Sequence, residues 1–188
     1  MMKNYYLVIQ GIKILSISIL LLIMLFAPSY SYGQKNEVYE ELSDAFDYGK
    51  KADEYVVSSL ELIKKCYQQS SIDDVHYYAR RAKNEIDNAR YQAGYAESDA
   101  SDAEDEADDI SCDDAEDEAD DAEGNFNIAS SRFEDAYNYL RRVEYADNRY
   151  DVEYNLRNAK SSVEDGMNYL RFAMNDLNEA IDALNDCK

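Results

Sequence analysis

Residues 72–110 have the sequence IDDVHYYARRAKNEIDNARYQAGYAESDASDAEDEADDI, in which apolar residues recur at alternating steps of three and four. The recurring positions are Ile72, Val75, Ala79, Ala82, Ile86, Ala89, Ala93, Ala96, Ala100, Ala103, Ala107 and Ile110. This spacing puts all of them on one face of an α-helix, and so long a heptad seam is typical of helices packed side by side. The segment therefore predicts a long helix inside a helical bundle.

The same pattern occurs again at an offset of about 77 positions along the chain. The second seam consists of Val152, Leu156, Ala159, Val163, Gly166, Leu170, Ala173, Leu177, Ala180, Leu184 and Cys187. The offset also relates the two preceding segments, in which Val38, Leu42, Ala45, Gly49, Ala52, Val56, Ser59, Ile63 and Cys66 correspond to Ala115, Ala119, Ala122, Phe126, Ala129, Phe133, Ala136, Leu140 and Val143. Self-similarity at a fixed period indicates a duplication. We predict two tandem helical hairpins, residues 34–111 and 112–188, that form one all-α, antiparallel four-helix bundle.

The predicted connections contain signals for helix starts. Ser71, Ser111 and Asn148 each precede an acidic residue by three positions, as an N-cap residue does. Gly124 supports a rival interpretation, because glycine often ends a helix. In that interpretation a single helix runs over residues 72–123, whereas the duplication favours a break near residue 110.

Residues 1–33 have the features of a secretory signal peptide. Lys3 and Lys13 precede or border an apolar run over residues 14–27, and the small residues Ser31 and Gly33 precede Gln34. This pattern predicts cleavage after residue 33, export to the periplasm or the medium, and no stable membrane insertion of the mature chain. The alternative is an uncleaved anchor, since residues 5–27 could span a bilayer if Lys13 is tolerated there.

The composition excludes several classes of protein. With six Gly, one Pro and three Cys in 188 residues, the chain is not collagen-like, linker-like or densely disulfide-bonded. The net charge is −21, and −23 once the predicted signal peptide is removed. Nucleic acid and anionic lipid are therefore poor partners.

Charge is unevenly distributed between the two ends of the predicted bundle. From Glu97 to Glu123, more than half of the positions are acidic and none is basic. A group of basic residues lies near the opposite end: Lys64, Lys65, Arg80, Arg81, Lys83, Arg141, Arg142, Arg149, Arg157 and Lys160.

Because Ca²⁺ prefers carboxylate oxygens, a weak, diffuse cation site is a hypothesis for Asp102, Asp105, Asp109, Asp113, Asp117 and Asp121. We favour the simpler interpretation of a solvated face that keeps the bundle soluble.

Several tyrosines and arginines occupy outward heptad positions. The candidate partner surface consists of Tyr77, Arg81, Tyr91, Tyr154 and Arg157. Exposed aromatic rings beside arginine are common in contacts with proteins and glycans. The alternative is that these are isolated surface residues, which are frequent on soluble proteins.

The cysteines and the single histidine limit the chemistry. Cys112 begins the third predicted helix and Cys187 ends the fourth, so we predict a disulfide between them and a buried Cys66 at the other end. With His76 as the only histidine and no catalytic motif, we predict no enzyme and no cofactor beyond weakly bound Ca²⁺.

Two functional hypotheses follow from these patterns. The main one is an exported, non-enzymatic interaction or scaffold module that contacts an unidentified protein or glycan. The alternative is a low-affinity Ca²⁺ binder that uses the acidic end of the bundle. The opposite charge of the two ends also suggests head-to-tail self-association, which generates open filaments.

Overall fold

The computed structural model describes the backbone of residues 2–187 and the side chains of residues 33–187. It contains α1 (Met2–Gln68), α2 (Ile72–Asp109), α3 (Asp113–Glu144) and α4 (Arg149–Asp186). These helices form the predicted antiparallel four-helix bundle. Apart from residue 33, the predicted signal peptide lies outside the residues whose side chains are described. Within residues 33–187, no helix is long and apolar enough to cross a membrane.

The helices pack in chain order around a common core. The pairs α1/α2, α2/α3 and α3/α4 pack closely, whereas α1 and α4 make a looser interface, and α2 touches α4 across the diagonal. The duplication makes α2/α3 and α4/α1 equivalent interfaces, but a connection of three residues joins α2 to α3, and the seam residues also differ. In α2 the seam has Ala100 and Ala107 where α4 has Leu177 and Leu184. Small side chains let helix backbones approach, and larger ones hold them apart.

The core consists of the predicted seams. Every seam residue that we identified in α1 and α3 is buried, as are those of α2 from Val75 to Ala107 and those of α4 from Val152 to Leu184. Ile72, Ile110 and Cys187, at the seam ends, are half-buried. The periodicity therefore predicted the interior of the bundle almost completely.

Two glycines in the core face aromatic rings on α3. A Cβ atom at Gly49 would lie 3.3 Å from Phe126 Cε1, and one at Gly166 would lie 2.5 Å from Phe133 Cε1. The absence of a side chain on α1 or α4 thus provides the space that each phenylalanine fills. Gly124 is different, because it is exposed and a Cβ atom there would meet nothing within 4 Å.

The helix ends correct two sequence-based interpretations. The rival interpretation of one helix over residues 72–123 is wrong, because α2 ends at Asp109 and α3 continues without a break through Gly124. Ser111 is not an N-cap residue either. It adopts a φ of 57° beyond the end of α2, and Cys112 is the N-cap of α3. Asn148 caps α4 as predicted, since its side chain accepts a hydrogen bond from the backbone N–H of Asp151.

Candidate functional sites at the two ends of the bundle

The acidic end of the bundle comprises the first turns of α1 after residue 33, the end of α2, the start of α3 and the end of α4. The sulfur atoms of Cys112 and Cys187 lie within bonding distance, with their Cα atoms 5.9 Å apart, so the predicted cysteine pair is present. Lys35 Nζ donates to the backbone carbonyl oxygens of Leu184, at 3.2 Å, and of Cys187. A cation at the C-terminus of α4 complements the helix dipole. The cysteine pair and the lysine together connect α1, α3 and α4 at this end.

Two groups of three carboxylates converge at helix interfaces of the acidic end. One consists of Glu41, Asp99 and Asp102, and the other of Glu104, Asp120 and Glu123. Within each group, one oxygen from every residue lies within 4.8 Å of the others. The first group joins α1 to α2, and the second joins α2 to α3. Both could offer several oxygen ligands to one hard cation.

Burial and mutual repulsion disfavour ionisation in these groups. The pKa of Glu41 is raised above its ordinary value by burial first, and then by the negative charges of Asp99, Glu106 and Asp102. Burial and neighbouring carboxylates likewise raise the pKa values of Asp99 and Glu104. Ionised carboxylates at this end therefore carry an energetic cost in the folded state.

Only one of the six aspartates predicted as metal ligands belongs to either group. That residue is Asp102; all six aspartates are exposed, and the five outside the groups are Asp105, Asp109, Asp113, Asp117 and Asp121. The residues that do converge stand beside the seam, where side chains meet those of the neighbouring helix. Adjacency to the seam does not by itself identify such positions, because Asp109 and Asp121 are also next to seam residues and belong to neither group.

The tyrosine-rich end comprises the α1–α2 and α3–α4 connections and the adjoining helical turns. Arg149 Nη1 donates to the carbonyl oxygen of Gln69 at 2.9 Å, which links the two connections. His76 Nε2 lies 3.1 Å from the carbonyl oxygen of Ala146, to which it donates when that nitrogen is protonated. The single histidine is therefore part of the link between α2 and the α3–α4 connection. These contacts fix the positions of the side chains around them.

The predicted partner residues are all exposed but lie in two patches. Tyr77, Arg81 and Tyr91 are on α2, with the guanidinium of Arg81 5.8 Å from the ring centroid of Tyr77. Tyr154 and Arg157 are on α4, which stands diagonally opposite α2. Tyr77 and Tyr154 are related by the offset of the duplication and therefore occupy equivalent positions in the two hairpins. The structure does not bring the five residues into one surface.

Two further tyrosines at this end were not among the predicted site residues. Tyr150 is 79% exposed and Tyr145 is 75% exposed, and they flank the α3–α4 connection. Tyr145 also lines a concavity of about 430 Å³ together with Asn138, Arg141 and Arg142. Acidic residues such as those of the first turns of α2 and α4 lie at the same end, so its charge is mixed.

The free thiol is not available for chemistry. Cys66 is buried, and burial raises its pKa to about 12. Its sulfur lies 3.7 Å from the carbonyl oxygen of Val75, to which the thiol donates. A thiol that stays protonated at neutral pH is a poor nucleophile and metal ligand. Cys66 is thus part of the core, as the seam predicted.

Comparison with known proteins adds no functional assignment to this geometry. No family model matches the chain, and no curated protein and no solved structure matches it either. Function must therefore be inferred from the two ends of the bundle themselves.

Proposed function

We propose that the protein is an exported, non-enzymatic interaction module that contacts a protein or glycan through its tyrosine-rich end. The observation that carries this proposal is the exposure of Tyr145 and Tyr150, which exceeds that of every other large apolar or aromatic side chain within residues 33–187. Both rings stand beside arginines of α3 and α4. Such rings gain apolar contact and hydrogen bonds when a partner covers them.

The rigidity of this end also supports the proposal. The Arg149–Gln69 and His76–Ala146 contacts hold the two connections in place. A binding surface that is already ordered loses less conformational entropy when a partner binds. The mixture of arginine, tyrosine and nearby acids is suited to a polar, hydrogen-bonding partner more than to an apolar one.

Site-specific photo-crosslinking in the source cells tests this proposal. A benzoylphenylalanine residue replaces Tyr145 or Tyr150, and, as a matched control, Tyr39 at the acidic end, which is 48% exposed. We expect a discrete cross-linked species from the first two positions and none from Tyr39. A species of twice the protein's mass would indicate self-association. Equal, diffuse labelling from all three positions would contradict the proposal.

Export is supported by the signal-peptide pattern and by the Cys112–Cys187 pair, because disulfides persist in oxidising compartments. Peptide mapping of the protein from fractionated cells, without reduction, tests this part. We expect an N-terminus at Gln34 and a cross-linked peptide containing both cysteines. Recovery of an intact N-terminus with both thiols reduced would contradict export.

Low-affinity Ca²⁺ binding is a second candidate function, and the two carboxylate groups favour it. Calorimetric titration tests it on a variant in which Glu104, Asp120 and Glu123 are replaced by the corresponding amides. The matched control replaces Asp105, Asp109 and Asp113, which are exposed and lie in the same region. We expect saturable heat that is reduced in the first variant, which keeps the Glu41, Asp99 and Asp102 group, and unchanged in the second. An equal loss of binding heat in both variants would indicate only nonspecific screening of the carboxylates by the ion.

A further inference from the structure

An open groove lies between α1 and α4 near the tyrosine-rich end. Its volume is about 370 Å³, and it is lined by Val57, Leu60, Ile63 and Tyr67 of α1 together with four charged side chains, those of Glu61, Lys64, Lys160 and Glu164. Val57 and Tyr67 are exposed although both are large and mainly apolar. They are separated by about 15 Å of helix rise. The groove is thus apolar for most of its length and large enough for a small molecule.

The duplication provides an internal reference for this groove. Three of its positions have counterparts in the α2/α3 interface: Leu60 corresponds to Tyr137, Tyr67 to Glu144 and Lys160 to Lys83. There Lys83 Nζ lies 2.9 Å from Glu144 Oε1 and 5.5 Å from the ring centroid of Tyr137. One ammonium group therefore contacts both a carboxylate and an aromatic ring, and the interface is filled.

The same two groups are missing from the matching positions between α1 and α4. Leu60 provides no ring, and Tyr67 provides no carboxylate. Lys160 instead pairs with Glu164 on its own helix, with 2.8 Å between Nζ and Oε1 and both side chains about half exposed. Exposed pairs of this kind contribute little, so another carboxylate can replace Glu164 at small cost. Lys64 also lines the groove and forms no ion pair within residues 33–187.

We propose that the α1/α4 groove binds a small aryl carboxylate, whose ring packs on Leu60 and Val57 and whose carboxylate pairs with Lys160 and Lys64. The ligand supplies the groups that Tyr137 and Glu144 supply in the other half of the molecule. An apolar cleft with a few convergent polar groups is the usual form of a small-molecule site. In the lining itself Lys64 and Lys160 balance the charges of Glu61 and Glu164, and the Glu41 group of the acidic end lies roughly 28 Å away along α1, more than three Debye lengths in physiological salt. This site is independent of the proposed partner surface.

Calorimetry with para-hydroxyphenylpropionate as the probe tests the proposal on the mature protein. Two fragments of the probe serve as controls: para-ethylphenol has the ring without the carboxylate, and propionate has the carboxylate without the ring. We expect one saturable site with a dissociation constant in the millimolar range or below, as is usual for ligands of this size. Each fragment is expected to bind at least about tenfold more weakly. Equal affinity for the probe and para-ethylphenol would overturn the assignment of a carboxylate ligand.

Two variants locate the binding. The double variant Leu60→Tyr/Tyr67→Glu copies the filled interface of the other half and is expected to abolish binding while the bundle remains folded. Lys160→Met is expected to weaken binding about tenfold, and the matched variant Lys83→Met to leave it unchanged. Circular dichroism checks that each variant is helical. Undiminished binding to the folded double variant, equal effects of the two lysine variants, or no saturable binding to the wild type would overturn the proposal.

Discussion

The two ends of the bundle share one duplicated pattern but are stabilised differently. At the acidic end, the facing seams of α2 and α3 include Ala100, Ala103, Ala107, Ala115, Ala119 and Ala122, and apart from the half-buried Ile110 the larger seam residues come from α1 and α4. At the tyrosine-rich end, every helix contributes larger residues, among them Ile63, Val75, Leu140, Val143 and Leu156. Burial of apolar area stabilises by about 25 cal/mol per Å², so packing contributes more at the tyrosine-rich end.

The acidic end compensates for its small core with other links. The Cys112–Cys187 pair and the contact of Lys35 with the end of α4 lie where carboxylates repel one another most strongly. The tyrosine-rich end has hydrogen bonds and the buried Lys83–Glu144 ion pair in addition to its packing. The comparison indicates that the cysteine pair at the acidic end takes the place of the larger apolar contacts at the opposite end.

Removal of the disulfide should give the largest effect. The bond closes a loop with a sequence separation of 75, which the chain-entropy treatment values at about 4 kcal/mol. We expect the Cys112→Ala/Cys187→Ala variant to lose that much stability in urea denaturation. Hydrogen exchange should then accelerate first at the acidic end. Cys66→Ala is the control, and uniform acceleration along all four helices would contradict the comparison.

Truncation of a large core residue should give the second-largest loss of stability. Leu140 is fully buried near the tyrosine-rich end, and Leu140→Ala is expected to cost about 3 kcal/mol. At the acidic end, the buried Ala119 offers the corresponding truncation, and Ala119→Gly is expected to cost only about 1 kcal/mol through helix propensity. Urea denaturation of both variants checks the ratio. Equal losses would show that the two ends depend on packing to the same extent.

A change of pH should affect mainly the acidic end. The carboxyl pKa values of Glu41 and Asp99 are raised from 4.5 and 3.8 in the folded protein, so the folded state binds protons more tightly than the unfolded state. Stability should therefore increase as the pH falls from neutral through the raised pKa values towards 4.5 and 3.8, and the gain should be lost as the pH rises through the raised values again. Thermal denaturation should show a Tm higher by a few degrees at the lower pH. A Tm that falls over this range would contradict the assigned cost of ionisation.

The smallest effect is expected from Gly124, which is exposed in the first half of α3. Alanine there meets no neighbouring atom and favours the helix, so Gly124→Ala should stabilise by up to about 1 kcal/mol. Gly166→Ala is the matched control, because its Cβ atom would lie 2.5 Å from Phe133 Cε1 and should destabilise the protein. Chemical denaturation measures both, and destabilisation by Gly124→Ala would show that this turn of α3 needs glycine.

The sequence predicted the features that follow from the heptad repeat and from the topology of a four-helix bundle. The seams, the Cys112–Cys187 pair and the exposure of Tyr77 and Tyr154 are of this kind. It did not predict which carboxylates converge, because that depends on the rotation and spacing of neighbouring helices, which a heptad pattern does not determine. The α1/α4 groove was missed for the same reason. Serine gives no sequence signal for a left-handed φ, so the spacing of Ser111 and the following acid predicted an N-cap that the structure does not contain.

The duplication repeats one pair of surface positions on two corners of the bundle. Tyr77 and Arg80 of α2 correspond to Tyr154 and Arg157 of the diagonally opposite α4 at the offset of 77. A partner that recognises one pair would find the second on the far side of the same rigid body. Two copies of that partner could then be bridged, and a multivalent partner would be held by avidity even if each contact were weak.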